Sequence, residues 1–191
     1  MKPTSLMTLI AALAVLATSC QSPTSDTQLP RRATKSELNQ DAEAALVRLY
    51  ELMPASTTLM PTAKGVMVFP RVIKAGLVIG GQYGNGVLYS GGKVAGYYNT
   101  AGGSYGLQIG VQGFSYALFF MSDEALEYMK KSEGWEIGVG PSLVVVDEGV
   151  AKTLTTTTAK RDIYAFIFDQ KGLMAGIGIQ GCKITPIDPA P

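Results

Sequence analysis

Histidine is absent from the 191-residue sequence. This absence removes the commonest general base, the commonest zinc ligand and every nucleophile that an imidazole would activate. Cysteine occurs only at Cys20 and Cys182, and the carboxylates and lysines show no spacing typical of a catalytic site. We therefore expect no enzymatic activity, no metal site and no bound cofactor.

Aspartate and glutamate are absent from the whole stretch between Glu51 and Asp123. The same stretch holds six of the nine tyrosines, together with Lys64, Arg71, Lys74 and Lys93. Cations and amphipathic aromatic rings suit an anionic membrane interface, where each cation contributes about 1 kcal/mol near the surface. The alternative is that a glycine-rich core section simply contains few charges. Nucleic acid is not an expected partner, because the net charge is only +1.

The N-terminus has an apolar run, Leu6–Ala17, that is too short to span a bilayer, which needs about 20 residues. A run of this kind after Lys2 is typical of a secretory signal peptide. Its end, Ala17-Thr18-Ser19-Cys20, resembles the lipobox of bacterial lipoproteins, although Ala17 stands where leucine is usual. An ordinary signal peptide with a chance cysteine is the alternative.

We therefore predict a signal peptide at 1–19, acylation of Cys20 and a polar tether over 20–33. In lipoproteins of this kind, the resemblance implies export to the outer membrane, facing the periplasm or the cell surface. If Cys20 carries lipid, Cys182 is a lone thiol, and we expect it to lie buried in the core.

The remaining chain, 34–191, is predicted to form one domain that opens with a helix. Thr34 and Glu37 fit a capping box, apolar residues follow at helical spacing, and Pro54 is expected to stop the helix. A second, short helix is predicted over Asp123–Lys131, with Ser122 as its N-cap.

Glycine is absent before Gly65, and 14 of the 22 glycines then fall between Gly65 and Gly113. They alternate with apolar residues, which favours short strands separated by turns, and Gly84-Asn85-Gly86 is predicted to be a hairpin turn. No alternation of strands and helices is seen, so the sheet should be mostly antiparallel. The fold prediction is α+β, with a curved, mostly antiparallel sheet or barrel, an N-terminal helix and one short internal helix. The predicted strands are Val66–Phe69, Leu77–Tyr83, Val87–Tyr89, Ala95–Tyr98, Tyr105–Gln112, Tyr116–Phe120, Trp135–Val139, Leu143–Val146, Ile163–Phe168 and Leu173–Gln180.

Two of these segments, Ser104–Gln112 and Leu173–Gly181, alternate bulky apolar residues with glycine and glutamine. One face of each would be almost bare backbone, which favours either curvature and close packing or a ligand lying on that face. The letters of Gly176–Gly181 match G-x-G-x-x-G, but no helix is predicted after them, so they do not indicate a dinucleotide site.

Several segments together resemble the SYLF domain. They are Lys64–Pro70, Lys74–Gly86, Gly96–Tyr98 and Gly106–Gln112, and the similarity runs from near Glu37 to about Gly181. The resemblance implies a lipid-binding domain without enzymatic activity, which binds phosphoinositides in eukaryotes and is commonly carried by lipoproteins or envelope proteins in bacteria. In some eukaryotic members an N-terminal amphipathic segment contributes to membrane binding, and Arg31, Arg32 and Lys35 occupy a comparable position here.

The functional hypothesis is that a membrane-tethered domain binds anionic lipid head groups. Arg71 and Lys74 are predicted to lie together on an exposed connection beside Pro70. The alternative is an envelope protein-interaction or structural module that is only tethered by lipid. The candidate lipid contacts are Lys64, Arg71, Lys74, Lys93, Arg31, Arg32 and Lys35.

Overall fold

The N-terminal helix, α1, spans Lys35–Leu52 and begins as the sequence predicts. The Thr34 side chain accepts a hydrogen bond from the Glu37 backbone N–H, while the Glu37 carboxylate accepts one from the Thr34 N–H at 2.8 Å. This reciprocal capping box satisfies donors that a helix start otherwise leaves unpaired. After Met53 the chain turns into a short 3-10 helix, Pro54–Thr58. The buried side of α1 consists of Leu38, Ala42, Ala45 and Leu49.

This computed structural model describes residues 33–146, 160–172 and 181–191, without the side chains at 77, 78 and 104–109. Residues from Arg32 to Pro191 form one compact unit. Several predictions fall outside the described residues. They are the signal peptide at 1–19, Cys20, the tether up to residue 32, Arg31, Arg32, the strand Leu173–Gln180 and the motif Gly176–Gly181.

Two long strands, β1 (Gly65–Ser90) and β2 (Lys93–Phe120), form an antiparallel hairpin. The turn between them is Gly91-Gly92, with φ of 57° and 74°. A two-residue hairpin turn requires positive φ at both central positions, and two glycines adopt it without steric cost. The predicted turn at Gly84-Asn85-Gly86 is therefore wrong. These residues lie inside β1, paired with residues 98–100 of β2.

The other strands extend this hairpin into a six-stranded sheet within the described residues. After helix α2 (Asp123–Lys131), they are β3 (Trp135–Glu136), β4 (Leu143–Val146), β5 (Ile163–Gly172) and β6 (Lys183–Ile187). Along the free edge of β2, β6 pairs with residues 97–101 and β5 with residues 112–120. All of these pairings are antiparallel except β4 with β5, which is parallel. The α+β prediction is confirmed.

The curled sheet buries apolar side chains on both faces. Its outer face packs against α1 through residues such as Val68, Phe119 and Phe166. Residues of its inner face, such as Phe69, Tyr116 and Trp135, form a second cluster together with residues of α2. A Cβ at Gly86 would lie 2.5 Å from the Val68 carbonyl oxygen. The bare backbone of the later part of β1 therefore lets it fold closely over the earlier part.

Candidate functional site

Two of the predicted cations, Lys35 and Lys64, lie beside carboxylates in the folded chain. Lys35 Nζ is 2.9 Å from Asp188 Oδ1 and 6.0 Å from the centre of the Tyr97 ring. The hydrogen bond to Asp188, and then its negative charge, raise the pKa of Lys35. Lys64 Nζ lies 3.5 Å from Asp123 Oδ2 on α2. Asp123 lies just outside the acid-free stretch, so the fold places a negative charge beside one of the cations of that stretch, Lys64.

Arg71 and Lys74 do not form the exposed pair that the sequence predicts, and that prediction is wrong. Residues 65–90 form one continuous strand rather than two strands with a connection. A β-bulge between Phe69 and Val72 leaves Arg71 exposed on the outer side, whereas Lys74 points inward and is only 6% exposed. A side chain so deeply buried cannot contact a membrane surface unless the strand moves.

Lys93 follows directly after the hairpin turn and is exposed. No ion pair involving Lys93 is found within the described part of the chain. Of the predicted lipid contacts whose positions are known, Arg71 and Lys93 are therefore the most accessible cations.

The outer face of the middle of the hairpin has apolar side chains in contact with solvent. Ile79 is 72% exposed, Val111 is 61% exposed, and Tyr83 and Ile73 are also exposed. All four side chains point outward. Ile73 pairs with Gly113 and therefore shares a face with Val111, two residues from Gly113. Ile79 and Tyr83 are an odd number of positions from Gln82, whose side chain is buried on the inner face. The buried part of α1 packs further along the same face. We call Ile73, Ile79, Tyr83 and Val111 the outer apolar patch.

The inner face of the same segment is polar. Lys74 pairs across the strands with Gln112, and the Gln82 side-chain amide donates a hydrogen bond to the Cys182 sulfur. Burial raises the pKa of Tyr116 well above its ordinary value, although its neighbour Thr100 lowers it, and neither hydroxyl has a well-formed hydrogen bond among the described residues. The buried polar side chains of this inner set are Lys74, Gln82, Thr100, Gln112, Tyr116 and Cys182.

The usual arrangement of a sheet is therefore reversed in this part of the hairpin. In a soluble domain, apolar side chains normally face the core and polar ones face water. Sequence reasoning missed the inner polar set, although one signal was available. Lys74, Gln82 and Gln112 alternate with the apolar residues of the outer patch, so the sequence predicts that the polar and apolar side chains lie on opposite faces. The sequence does not predict which of the two faces is buried.

The inner set contains one thiol, that of Cys182. Burial raises the pKa of Cys182 to about 11, so its thiol is protonated and unreactive at neutral pH. Among residues 33–146, 160–172 and 181–191, no group of acidic residues and cysteine could hold a metal ion.

In the same residues, no helix combines the length and apolarity needed to cross a membrane.

One family model matches the sequence, over residues 101–190, and its description is "Ysc84: Las17-binding protein actin regulator". No curated protein matches the chain. The matched region begins in β2 and includes β5 and β6, whereas the segments that first suggested the SYLF resemblance begin in β1. The match supports that resemblance over residues 101–190, where the chain is similar to the Ysc84 (SYLF) family.

Proposed function

We propose that this chain is a membrane-tethered, non-catalytic domain that binds anionic lipid through the outer apolar patch and the exposed cations Arg71 and Lys93 of the same hairpin. The observation that carries the proposal is the reversed arrangement of the hairpin, with apolar side chains outside and polar ones inside. Exposed apolar side chains that lie on one face of a sheet mark a surface that meets an apolar partner.

The patch gains free energy if it enters the boundary between head groups and acyl chains. Burying an aliphatic side chain of this size completely contributes about 1.5–3 kcal/mol. The four residues of the patch are already partly covered by their neighbours in the sheet, so each can contribute only part of that amount. Several such side chains together are enough for reversible attachment to a bilayer surface.

The exposed cations of the hairpin favour anionic over neutral lipid. Residues 52–122 contain no acid, and Arg71 and Lys93 extend from the same hairpin into solvent. The contact of Arg71 with Asp41 is long, at 4.0 Å, and both side chains are mostly exposed. Ion pairs of this kind contribute about 0–1 kcal/mol, so an anionic head group can replace the partner at little cost.

The tether keeps the domain close to a membrane in this proposal. Acyl groups on Cys20 would insert into the outer membrane, and several chains hold a protein far more stably than one. A fully extended tether over 20–33 reaches about 45–50 Å. The domain would therefore be confined near the bilayer, and even weak binding by the patch would be sustained.

A protein-interaction module is the second candidate, and the same exposed patch could contact a protein. The family description, with its reference to Las17 binding and actin regulation, supports a binding role but names a protein partner. The two candidates differ in one respect that can be measured, since only the first requires the domain to bind lipid with no other protein present.

The test is vesicle sedimentation with the chain from residue 20 carrying Cys20→Ala, so that no acyl group contributes. The truncation leaves the compact unit Arg32–Pro191 intact. We expect this protein to sediment with vesicles containing phosphatidylglycerol and less with pure phosphatidylcholine. The double variant Ile79→Ser, Val111→Ser should weaken binding about ten-fold or more, if each side chain contributes about 1 kcal/mol.

The matched control is Val139→Ser, Val145→Ser, because these valines are also exposed but lie outside the hairpin. Reversing Lys93 to Glu should weaken binding mainly at low salt, whereas reversing Lys130 and Lys131 on α2 should have little effect. No sedimentation with any vesicle would favour the protein-interaction candidate. Equal losses in the patch and control variants would exclude the patch as the contact.

A further inference from the structure

Two β-bulges face each other across β2, beside Ser115. In β1, Phe69 pairs with Tyr116 and Val72 with Phe114, so Pro70 and Arg71 lie opposite the single residue Ser115. In β5, Phe168 pairs with Ser115 and Lys171 with Gly113, so Asp169 and Gln170 lie opposite the single residue Phe114. Bulges redirect side chains and are frequent next to functional sites.

The bulge in β5 places Asp169 in the left-handed region, with φ of 52°. Among the described residues, no other residue except glycine has a positive φ. Aspartate tolerates this conformation better than most side chains do, yet it remains uncommon. The fold thus holds an acidic side chain in an unusual orientation opposite Arg71.

The bulges and α1 enclose a pocket of about 180 Å³ on the outer side of the sheet. The charged residues of its wall are Asp41 and Arg48 from α1, Arg71 from β1 and Asp169 from β5, and Ser115 and Phe168 also line it. The Ser115 hydroxyl donates a 2.7 Å hydrogen bond to the Pro70 carbonyl oxygen, which fixes the bulge in β1. The volume corresponds to about six water molecules, so the pocket suits a small ligand.

Charges of both signs line the pocket without being tied to each other by hydrogen bonds. Arg71 Nη2 and Asp41 Oδ2 are 4.0 Å apart, beyond hydrogen-bond distance. Arg48 and Asp169 instead contact exposed neighbours on their own elements, Glu51 and Lys171. Contacts of that kind exchange readily, so all four groups are available to a ligand.

We propose that this pocket binds a small zwitterion, with a phosphate or carboxylate held by the two arginines and an ammonium group held by the two aspartates. Guanidinium groups match the geometry of such oxyanions, and carboxylates accept hydrogen bonds from ammonium. A ligand with only a negative charge would be repelled by the two aspartates, and one with only a positive charge would be repelled by the two arginines. The source of the zwitterion is either a free molecule or the head group of a lipid.

The test uses O-phosphoethanolamine as the probe, in calorimetry with the chain from residue 20 carrying Cys20→Ala and without any membrane. Because no membrane is present, this experiment measures ligand binding to the pocket and does not depend on insertion of the outer apolar patch. We expect O-phosphoethanolamine to bind at least ten-fold more tightly than inorganic phosphate or ethanolamine alone. Asp169→Asn and Arg71→Gln should each remove most of that preference.

Asp169→Asn keeps a side chain that tolerates the left-handed conformation, so the fold should be retained. Glu127→Gln on α2 is the matched control and should leave binding unchanged. Equal affinity for O-phosphoethanolamine and phosphate, or a preference that survives Asp169→Asn, would overturn the proposal. Vesicles then identify the source. If the protein binds vesicles of phosphatidylethanolamine selectively and Asp169→Asn abolishes that binding, the ligand is a lipid head group. If the protein does not bind these vesicles selectively but keeps its calorimetric preference for O-phosphoethanolamine, the ligand is a free zwitterion.

Discussion

The side-chain amide of Gln82 lies 2.7 Å from the sulfur of Cys182 and donates a hydrogen bond to it, across 100 residues of sequence. The contact joins the middle of β1 to the residue that precedes β6. A Cβ on Gly102, which pairs with Gln82, would lie 2.8 Å from the same sulfur. The glycine in β2 therefore leaves the space in which the Cys182 side chain is buried.

The Cys182 thiol should be unreactive in the folded protein. Burial raises its pKa to about 11, so about one molecule in a thousand carries a thiolate at pH 8. We expect a colorimetric disulfide reagent to modify the chain carrying Cys20→Ala slowly in buffer and rapidly in denaturant. Rapid modification in buffer would show that Cys182 is accessible.

Adding a methyl group at Gly86 should destabilise the fold strongly. The new Cβ would lie 2.5 Å from the Val68 carbonyl oxygen, a backbone atom that cannot move aside easily. We expect Gly86→Ala to lower the free energy of unfolding by about 1–3 kcal/mol, as overpacking typically does. Gly103→Ala is the control, because no atom lies within 4 Å of its Cβ. It should be neutral or slightly stabilising in urea unfolding followed by Trp135 fluorescence.

The protein should lose stability as the pH rises above the ordinary pKa of tyrosine. Burial, and to a lesser degree Glu43, raises the pKa of Tyr89 from 10.0 to about 12. Between these values the unfolded chain has released the Tyr89 proton and the folded chain has kept it, so the free energy of unfolding falls with rising pH. Below pH 10 both states are protonated and this contribution does not vary.

The measurement is the urea midpoint at several pH values from about 9 to 12, compared with that of Tyr89→Phe. The variant should show a smaller loss, and the remaining loss should include the contribution of Tyr116. An identical pH dependence in the two proteins would contradict the assignment to Tyr89.

Cys20 should carry the membrane anchor. In cells that express the full chain, the Cys20→Ala protein should be lost from the membrane fraction or remain as an uncleaved precursor, and intact mass of the parent protein should show acyl groups. A Cys182→Ala variant is the control and should fractionate as the parent does. A parent protein without added mass would contradict lipidation.

Local sequence determined the helices and several strand positions. The capping box at Thr34 and the Ser122 cap of α2 depend on residues three positions apart, so they can be read without knowledge of the fold. Strand β4, Leu143–Val146, is found at its predicted limits. The burial of Cys182 was also predicted, because a lone thiol behaves as a small apolar side chain.

Tertiary structure decided which residues are joined and which face is buried. Strand β6 was not predicted, because it is short and includes Pro186. The proline is tolerated because β3 pairs only with Lys183 and Ile184, so no hydrogen bond to β3 is needed at Pro186. A period of two fixes which side chains share a face but not which face becomes the core. Arg71 and Lys74 are three positions apart in one continuous strand, so their side chains point to opposite faces. The pocket could not be predicted either, because Asp41, Arg71, Ser115 and Asp169 meet only when α1 and three strands have packed together.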